Sequence, residues 1–321
     1  MAGLKELRTR LDSAKSTQQL TSAMKMVSVS KLRRAQNRAT RVREMCLRLL
    51  AIYRAVVDGK EACMEGCLLH EGYARPANVL VIVLASDKGM CGVFNTSVCR
   101  AAEEHIKKSY ARLSRSDIGV FSIGNKAGQY FASKGYARLL SEACCPANEM
   151  DYPRLSVWMD KVIEHYESGK IQKVDVVYCR PVNAATHSVR VQELLPVAEV
   201  MKLGEAAEEE YRKKGESAAL IGGVKQARHR AAFFQPGQVE ILPDLESVIG
   251  SLLPKVAALY LYLALCQSSV AEHGARMTAM SQATDNAEEL IKELNLKYNK
   301  LRQSGITNEL IEIVSGATAQ G

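Results

Sequence analysis

Proline is missing from both ends of this 321-residue chain: all 8 prolines lie between Pro76 and Pro254. Proline breaks helix interiors, so its absence leaves both ends free to form long helices and excludes that for the middle. Acidic residues are missing from Ser13 to Arg43, a stretch that carries Lys15, Lys25, Lys31, Arg33, Arg34, Arg38, Arg41 and Arg43. There is no uninterrupted apolar run of about 18 residues, the length a membrane-spanning helix needs. The longest, Val256 to Cys266, is too short. The first residues, Met1-Ala2-Gly3-Leu4-Lys5-Glu6-Leu7, are helical in character and charged. No signal peptide is therefore expected. The 9 cysteines follow no regular spacing, which suits reduced thiols better than a disulfide framework.

What is present is a strong charge asymmetry. Lys plus Arg total 43 against 35 Asp plus Glu, a net charge of +8. Residues 1–60 hold 14 basic and 4 acidic side chains, so the remainder is slightly acidic. A basic field of this kind attracts an anionic partner or forms a solvated helix face.

The proline-free ends carry helical periodicity. Leu4, Leu7, Leu11, Ala14, Leu20, Met24 and Val27 recur at mostly three- and four-residue spacing, followed by Val42, Met45, Leu49, Ile52 and Val56. This predicts a coiled-coil seam, interrupted at Lys31, Arg34 and Arg38. A helix from Leu4 to Val57 would be roughly 80 Å long at about 1.5 Å per residue. At the other end Ala283, Ala287, Leu290, Leu294, Lys297 and Leu301 form a matching seam, and Ile306, Leu310 and Ile313 continue an apolar face in shifted phase. Long helices with narrow apolar seams need partners. An antiparallel pair closed by an inserted domain is the simplest solution. Gly305 costs about 1 kcal/mol relative to alanine and marks an expected soft spot.

The middle reads as α/β. Val79 to Ala85 is a continuous apolar run, as in a strand buried on both faces. It ends in Ser86-Asp87-Lys88-Gly89-Met90-Cys91-Gly92 and a helix through Lys108. Ile118 to Ile123 and Val174 to Cys179 are further strands. Helices are expected near Lys126–Ser133 and over Leu155–Glu167, and Ser188 to Leu195 as an antiparallel edge strand. Alternation of this kind predicts a small doubly wound sheet. Residues 202–230 are polar and predict an exposed helix and linker. The resulting division is an N-terminal helix over 1–58, an α/β domain over 76–200, a polar insert over 201–235 and a C-terminal helix over 240–319.

No catalytic constellation is complete. Gly89-Met90-Cys91-Gly92 is not a dinucleotide fingerprint, and Gly119 to Lys126 lacks the spacing and Ser/Thr of a phosphate loop. Cys63, Cys67 and His70 resemble half a zinc site with no second half. Cys91 has no identifiable histidine to activate it as a nucleophile. Cys144-Cys145 reads as inert. These residues point away from chemistry and toward a mechanical or binding role.

Three segments carry a resemblance. Thr17-Gln18-Gln19-Leu20-Thr21-Ser22-Ala23-Met24-Lys25-Met26-Val27 with Ser30-Lys31-Leu32-Arg33 is the first. Asp87-Lys88-Gly89-Met90-Cys91-Gly92-Val93-Phe94-Asn95 is the second. The third is Arg276-Met277-Thr278-Ala279-Met280 with Ala283-Thr284-Asp285-Asn286-Ala287, running on through Tyr298 to Gln303 and Ile306 to Ala317. Together they resemble the gamma subunit of F-type ATP synthase, of bacterial type. The resemblance is tight over residues 1–55 and 266–319 and looser between.

It implies a long antiparallel coiled coil of the terminal helices with an inserted small Rossmann-like α/β domain. It implies a non-catalytic central rotor, present once per complex, with no cofactor and no metal. The implied partners are the alpha and beta subunits of the catalytic hexamer, the epsilon subunit and the membrane c-ring, with no nucleic acid. The implied location is peripheral, on the cytoplasmic face of the bacterial inner membrane. By the same resemblance Met24, Lys25, Lys31, Arg33, Arg34, Arg302, Gln303, Thr307 and Glu309 would contact beta. Ile306, Leu310, Ile313 and Val314 would sit in an apolar sleeve. Phe234, Gln235 and Pro236 would meet the membrane ring, although the acidic residue usual there is absent. Two rivals remain. A nucleic-acid-binding coiled coil would use residues 25–48 as a basic region and bind in a salt-sensitive way. A nucleotide-dependent enzyme would use the middle domain.

Overall fold

The computed structural model describes residues 2–57, 67–137, 139–140, 143–183, 186–198 and 244–318. The expected insert at 202–230, the foot at Phe234, Gln235 and Pro236, and Cys63 all lie outside the described residues. The helices are α1 (Ala2–Val57), α2 (Leu68–Glu71), α3 (Phe94–Ser109), α4 (Asn125–Phe131), α5 (Tyr152–Glu167) and α6 (Leu245–Thr318). The strands are β1 (Val79–Leu84), β2 (Ile118–Ile123), β3 (Cys144–Cys145), β4 (Lys173–Pro181) and β5 (His187–Leu195). Two compact units result: residues 1–31 with 276–321, and residues 32–275.

The first unit is an antiparallel helix pair. As α1 rises from Thr21 to Lys25, its partners on α6 fall from Thr284 to Ser281. Leu11, Ala14 and Leu294 are buried together, with Leu7 and Ile291 packed against them. The buried stripe of α1 therefore runs Leu11, Ala14, Thr21, Ser28, not through Leu20 and Val27, which are exposed. On α6 it runs Met280, Ala287, Ile291, Leu294, and Leu290, Lys297 and Leu301 are exposed. Of the expected α6 seam, Ala287 and Leu294 are buried and Ala283 is half-buried, whereas Leu290 gives way to its neighbour Ile291 and Lys297 and Leu301 face outward. The correction has a simple cause: apolar residues stand on both sides of the seam, while part of the seam is polar.

The second unit is a layered α/β body. Its five-stranded sheet has the order β3-β2-β1-β4-β5, parallel except for the antiparallel edge pair β4/β5. Central β1 is buried along its whole length. Side chains alternate across a strand, so one run serves two cores. Leu80, Ile82 and Leu84 pack with Tyr53, Val56, Met159, Leu253, Val256 and Ala257, on α1, α5 and α6. Val79, Val81 and Val83 pack with Phe94, Val98, Ala102 and Ala127, on α3 and α4.

Within this unit the seam of α1 is Leu32, Ala35, Ala39, Val42, Cys46, Leu50, Tyr53 and Val56. Lys31, Arg34 and Arg38 are exposed beside the stripe and do not interrupt it, and Met45 and Ile52 face outward. Cys46 Sγ lies 3.7 Å from Leu259 O on α6.

Pro254 sits inside α6. Its ring removes one helical hydrogen bond and crowds the carbonyl four residues earlier, which belongs to the exposed Gly250. Burial of Leu252, Leu253, Val256 and Ala257 around it outweighs that cost, at about 1.5–3 kcal/mol for each large side chain. This apolar part of α6 satisfies the length and composition of a membrane span, unlike the uninterrupted-run criterion. More than half of that stretch is nevertheless buried inside the protein, with Leu253, Val256, Ala257 and Leu261 in its core.

Candidate functional site: an exposed helical shaft and a closed crevice

The residues singled out from sequence lie on the two long helices. Lys31, Arg33 and Arg34 are exposed on α1. Met24 and Lys25 are half-buried, and Lys25 Nζ donates to Ser281 Oγ at 3.0 Å. Arg302, Gln303 and Thr307 are exposed on α6, where Thr307 Oγ1 donates to Gln303 O at 2.9 Å. Glu309 and Ile313 lie on the same helix, their side chains outside what is described. From Leu301 to the end of α6 no described residue is buried.

These helices expose much more apolar surface than their seams require. Met26 is 71% exposed and Val314 65%, and Leu20, Val27, Val29, Ile306, Leu310 and Ile311 are exposed as well. Three of these, Ile306, Leu310 and Val314, belong to the expected apex. Leu20, Met26, Val27 and Val29 share a helix with the acid-free basic stretch. An outer surface of mixed apolar and basic character has the composition that interaction surfaces carry. Leu20 and Val27 fall on the apolar spacing that predicts a seam, so periodicity alone does not mark them as outward-facing.

The crevice at the carboxyl ends of the parallel strands, where open α/β sheets bind ligands, is filled by the protein itself. The Asp87 carboxylate accepts N–H from Asn125 at 3.2 Å, Ala147 at 2.8 Å and Asn148 at 3.0 Å. Asn125 opens α4, so an internal carboxylate takes an amide that a phosphate would use at a helix start. Gly124 has φ +114°, and a Cβ there would stand 2.3 Å from Ala85 O. The backbone is that close because β1 and β2 end side by side. Ser86 Oγ donates to Asn95 Oδ1 at 2.9 Å, and Asn95 Nδ2 donates to Cys91 Sγ at 3.2 Å. Cys91 is buried, and its polar neighbours are Ser86, Lys88 O and Asn95, with no histidine among them. The motif that tempts a nucleotide or nucleophile reading is a structural clasp. Cys144 and Cys145, expected to be inert, form β3 and pair with Ser122 and Ile123. Burial raises the Cys144 thiol above its usual range, with the Asp87 charge adding to the effect. Among the described residues no group of His, Cys, Asp and Glu could hold a metal ion.

Sequence reasoning missed a buried polar cluster. Asp175 on β4 is 2% exposed. His105 Nε2 lies 2.6 Å from its Oδ2, and Tyr110 O–H donates to the same oxygen. Burial, with Asp175 beside it, pushes the Tyr110 phenol well above its ordinary range. His105 and Tyr110 stand 65 to 70 residues from Asp175, a separation at which no local pattern pairs them.

A unit of two paired long helices and an α/β unit whose crevice is filled by its own Asp87 clasp define a two-part class of protein built on its terminal helices. Residues 3–320 match the family model described as ATP synthase. A curated relative, the ATP synthase gamma chain of Chloroherpeton thalassium, is 34% identical over 99% of this chain and 98% of its own length. That of Cytophaga hutchinsonii is 33% identical over 99% of both. A solved rotor of the Euglena gracilis mitochondrial ATP synthase shares the fold, with TM-score 0.57 at 20% identity over 95% of this chain and 99% of that one. The chain belongs to the ATP synthase gamma chain family.

Proposed function

We propose that this chain is the non-catalytic central rotor of an F-type ATP synthase, coupling ion flow through the membrane ring to ATP synthesis or hydrolysis in the alpha/beta hexamer. The single observation that carries the reading is the exterior of the two long helices. Apolar side chains that a free helix pair would hide stand exposed on α1 and along the end of α6. They are suited to a sleeve that encloses the shaft without gripping it.

The mechanism follows from asymmetry. α1 presents Lys31, Arg33 and Arg34, while the end of α6 presents Arg302, Gln303 and Thr307. A surrounding ring of like subunits meets different faces at any one angle. Turning the shaft changes which catalytic site is held in its binding form, since a ligand or partner shifts an equilibrium only by its differential contact with the two states. Exposed ion pairs are each worth about 0–1 kcal/mol. The basic residues therefore steer and register the shaft against an acidic loop of beta, and packed apolar contact transmits torque. Ile306, Leu310 and Val314, with Ile313, form the apex in the sleeve. Few specific bonds there are an advantage, because strong ones would brake rotation.

The finer assignments belong to the same proposal. Epsilon and the c-ring are the partners at the foot, with Phe234, Gln235 and Pro236 on the ring. There is one copy per complex, at the cytoplasmic face of the bacterial inner membrane. The test is Mg-ATPase of purified alpha and beta subunits from the same source, with and without this chain, together with sizing of the mixture. A stable complex with strongly raised turnover is expected. Folded chain that neither assembles nor alters turnover would contradict the proposal.

A further inference from the structure

At the opposite end of the sheet from the closed crevice lies a cavity of about 1060 Å³. It lies beside the starts of β1 and β4 and the end of α3. Its floor carries Asp175, His105, Ser109 and Tyr110, and its walls carry Lys173 and Glu193. The acidic groups inside are already engaged. Asp175 holds His105 and Tyr110, and Lys173 Nζ pairs with Glu193 Oε2 at 2.7 Å. Ser109 Oγ lies 3.2 Å from His105 Nδ1, so both ring nitrogens of His105 are occupied.

What remains at the mouth is positive. Arg75, Lys108 and Arg112 line the cavity, are exposed, and have no carboxylate partner among the described residues. Two guanidinium groups and an ammonium lining one opening are the side chains that bind a phosphate group, which arginine can take in bidentate fashion. Ser109 is exposed at the end of α3, and its Oγ keeps a lone pair for a hydroxyl group on the same ligand, as does the second carboxylate oxygen of the partly exposed Glu193. The carbonyl end of α3 opposes an anion, which weakens the binding the three cations provide.

We propose that this cavity is a binding site for an organic phosphate bearing hydroxyl groups, held by Arg75, Lys108 and Arg112 over the Asp175–His105–Tyr110 floor. The site is independent of the shaft and uses neither long helix. The phosphate comes either from a soluble ester or from a lipid headgroup.

The experiment uses the full chain at low ionic strength. Glycerol 3-phosphate is titrated by calorimetry. In a second arm the chain is sedimented with phosphatidylcholine vesicles containing phosphatidylglycerol. The Lys108→Ala/Arg112→Ala double variant is compared with an Arg100→Ala/Lys255→Ala variant of equal charge loss away from the cavity. The expected result is saturable binding of one equivalent in at least one arm. That binding should weaken about tenfold or more in the cavity variant, a loss of about 1.4 kcal/mol, and be unchanged in the control. The arm that shows it identifies the source. Circular dichroism of both variants separates lost binding from lost folding. If Lys108→Ala/Arg112→Ala does not fold, Arg75→Ala replaces it under the same criterion. No saturable binding up to about 10 mM in either arm, or equal weakening in cavity and control variants, would overturn the proposal.

Discussion

Lys25 on α1 donates from Nζ to Ser281 Oγ on α6 at 3.0 Å, bridging the two long helices at a point where their seam is polar. Beside it Thr284 Oγ1 lies 2.8 Å from Thr21 Oγ1 and Thr21 is buried. A polar layer inside an apolar seam fixes register at some cost in stability. Replacing Thr21 and Thr284 together by valine removes both partners while keeping their shape, which is nearly neutral or stabilising. The double variant is expected to unfold at the same or a slightly higher urea concentration. Each single variant should be up to about 1 kcal/mol less stable than additivity from the double predicts. A purely additive cycle would show that the two hydroxyls do not interact.

Asp87 joins three segments through the N–H groups of Asn125, Ala147 and Asn148. Asp87→Ala leaves all three without this acceptor, and the half-buried site limits replacement by water. A loss of about 2 kcal/mol is expected, from the cost of orphaned donors. Asp87→Asn keeps one acceptor oxygen and should fall between. Urea denaturation followed by circular dichroism measures both, and an unchanged midpoint in Asp87→Ala would remove the clasp assignment.

Two histidines set the response to mild acid. Burial lowers His70, partly offset by the Glu71 charge, and burial lowers His187, both from an ordinary value of 6.5. Their folded form thus favours the neutral ring. As pH falls through about 6.5 the unfolded chain takes up protons first. Their contribution is complete above that value and is lost toward the lower folded values. Thermal midpoints should be flat from about pH 8 to 7 and decline below about 6.5. The decline should be shallower in a His70→Gln/His187→Gln variant. An equal decline in that variant would assign the effect to other groups.

Gly305 lies inside continuous α6, and a Cβ added there meets nothing within 4 Å. The expected soft spot is thus a site where alanine fits. Gly305→Ala should stabilise the helix by up to about 1 kcal/mol. The gain is read as a higher thermal midpoint of the free chain or as slower amide exchange in the last turns of α6. No change in either would count against a continuous helix at that point.

Much of this architecture was legible in the sequence because burial on both faces leaves a plain mark. Val79 to Leu84 could be read at once, and so could the antiparallel edge strand ending at Leu195, which pairs with Val174. The helix seams were legible in existence and in part of their phase: Leu11, Ala14, Val42, Val56, Ala287 and Leu294 are buried as expected, while Leu20, Val27, Met45, Ile52, Leu290 and Leu301 are exposed. Met45 stands next to Cys46, and Leu290 next to Ile291, so periodicity alone does not say which faces the partner. Thr21 and Ser28 are buried in the seam, and polar residues there break the apolar count. Pro254 within α6 went against the helix rule because the core around Leu253 and Val256 overrides propensity. β3 is two residues long, too short for any pattern. The Asp175 cluster and the three amides on Asp87 depend on contacts across the sheet and its loops, which no window of local sequence contains.

The most direct test of the rotor account is observation of rotation. The alpha/beta hexamer carrying this chain would be fixed to a surface. A bead would be attached through Val157→Cys, an exposed position on α5, and Mg-ATP supplied. The account predicts continuous rotation of the bead in one direction that stops when ATP is withdrawn. A bead that stays fixed while the same complexes hydrolyse ATP would contradict it.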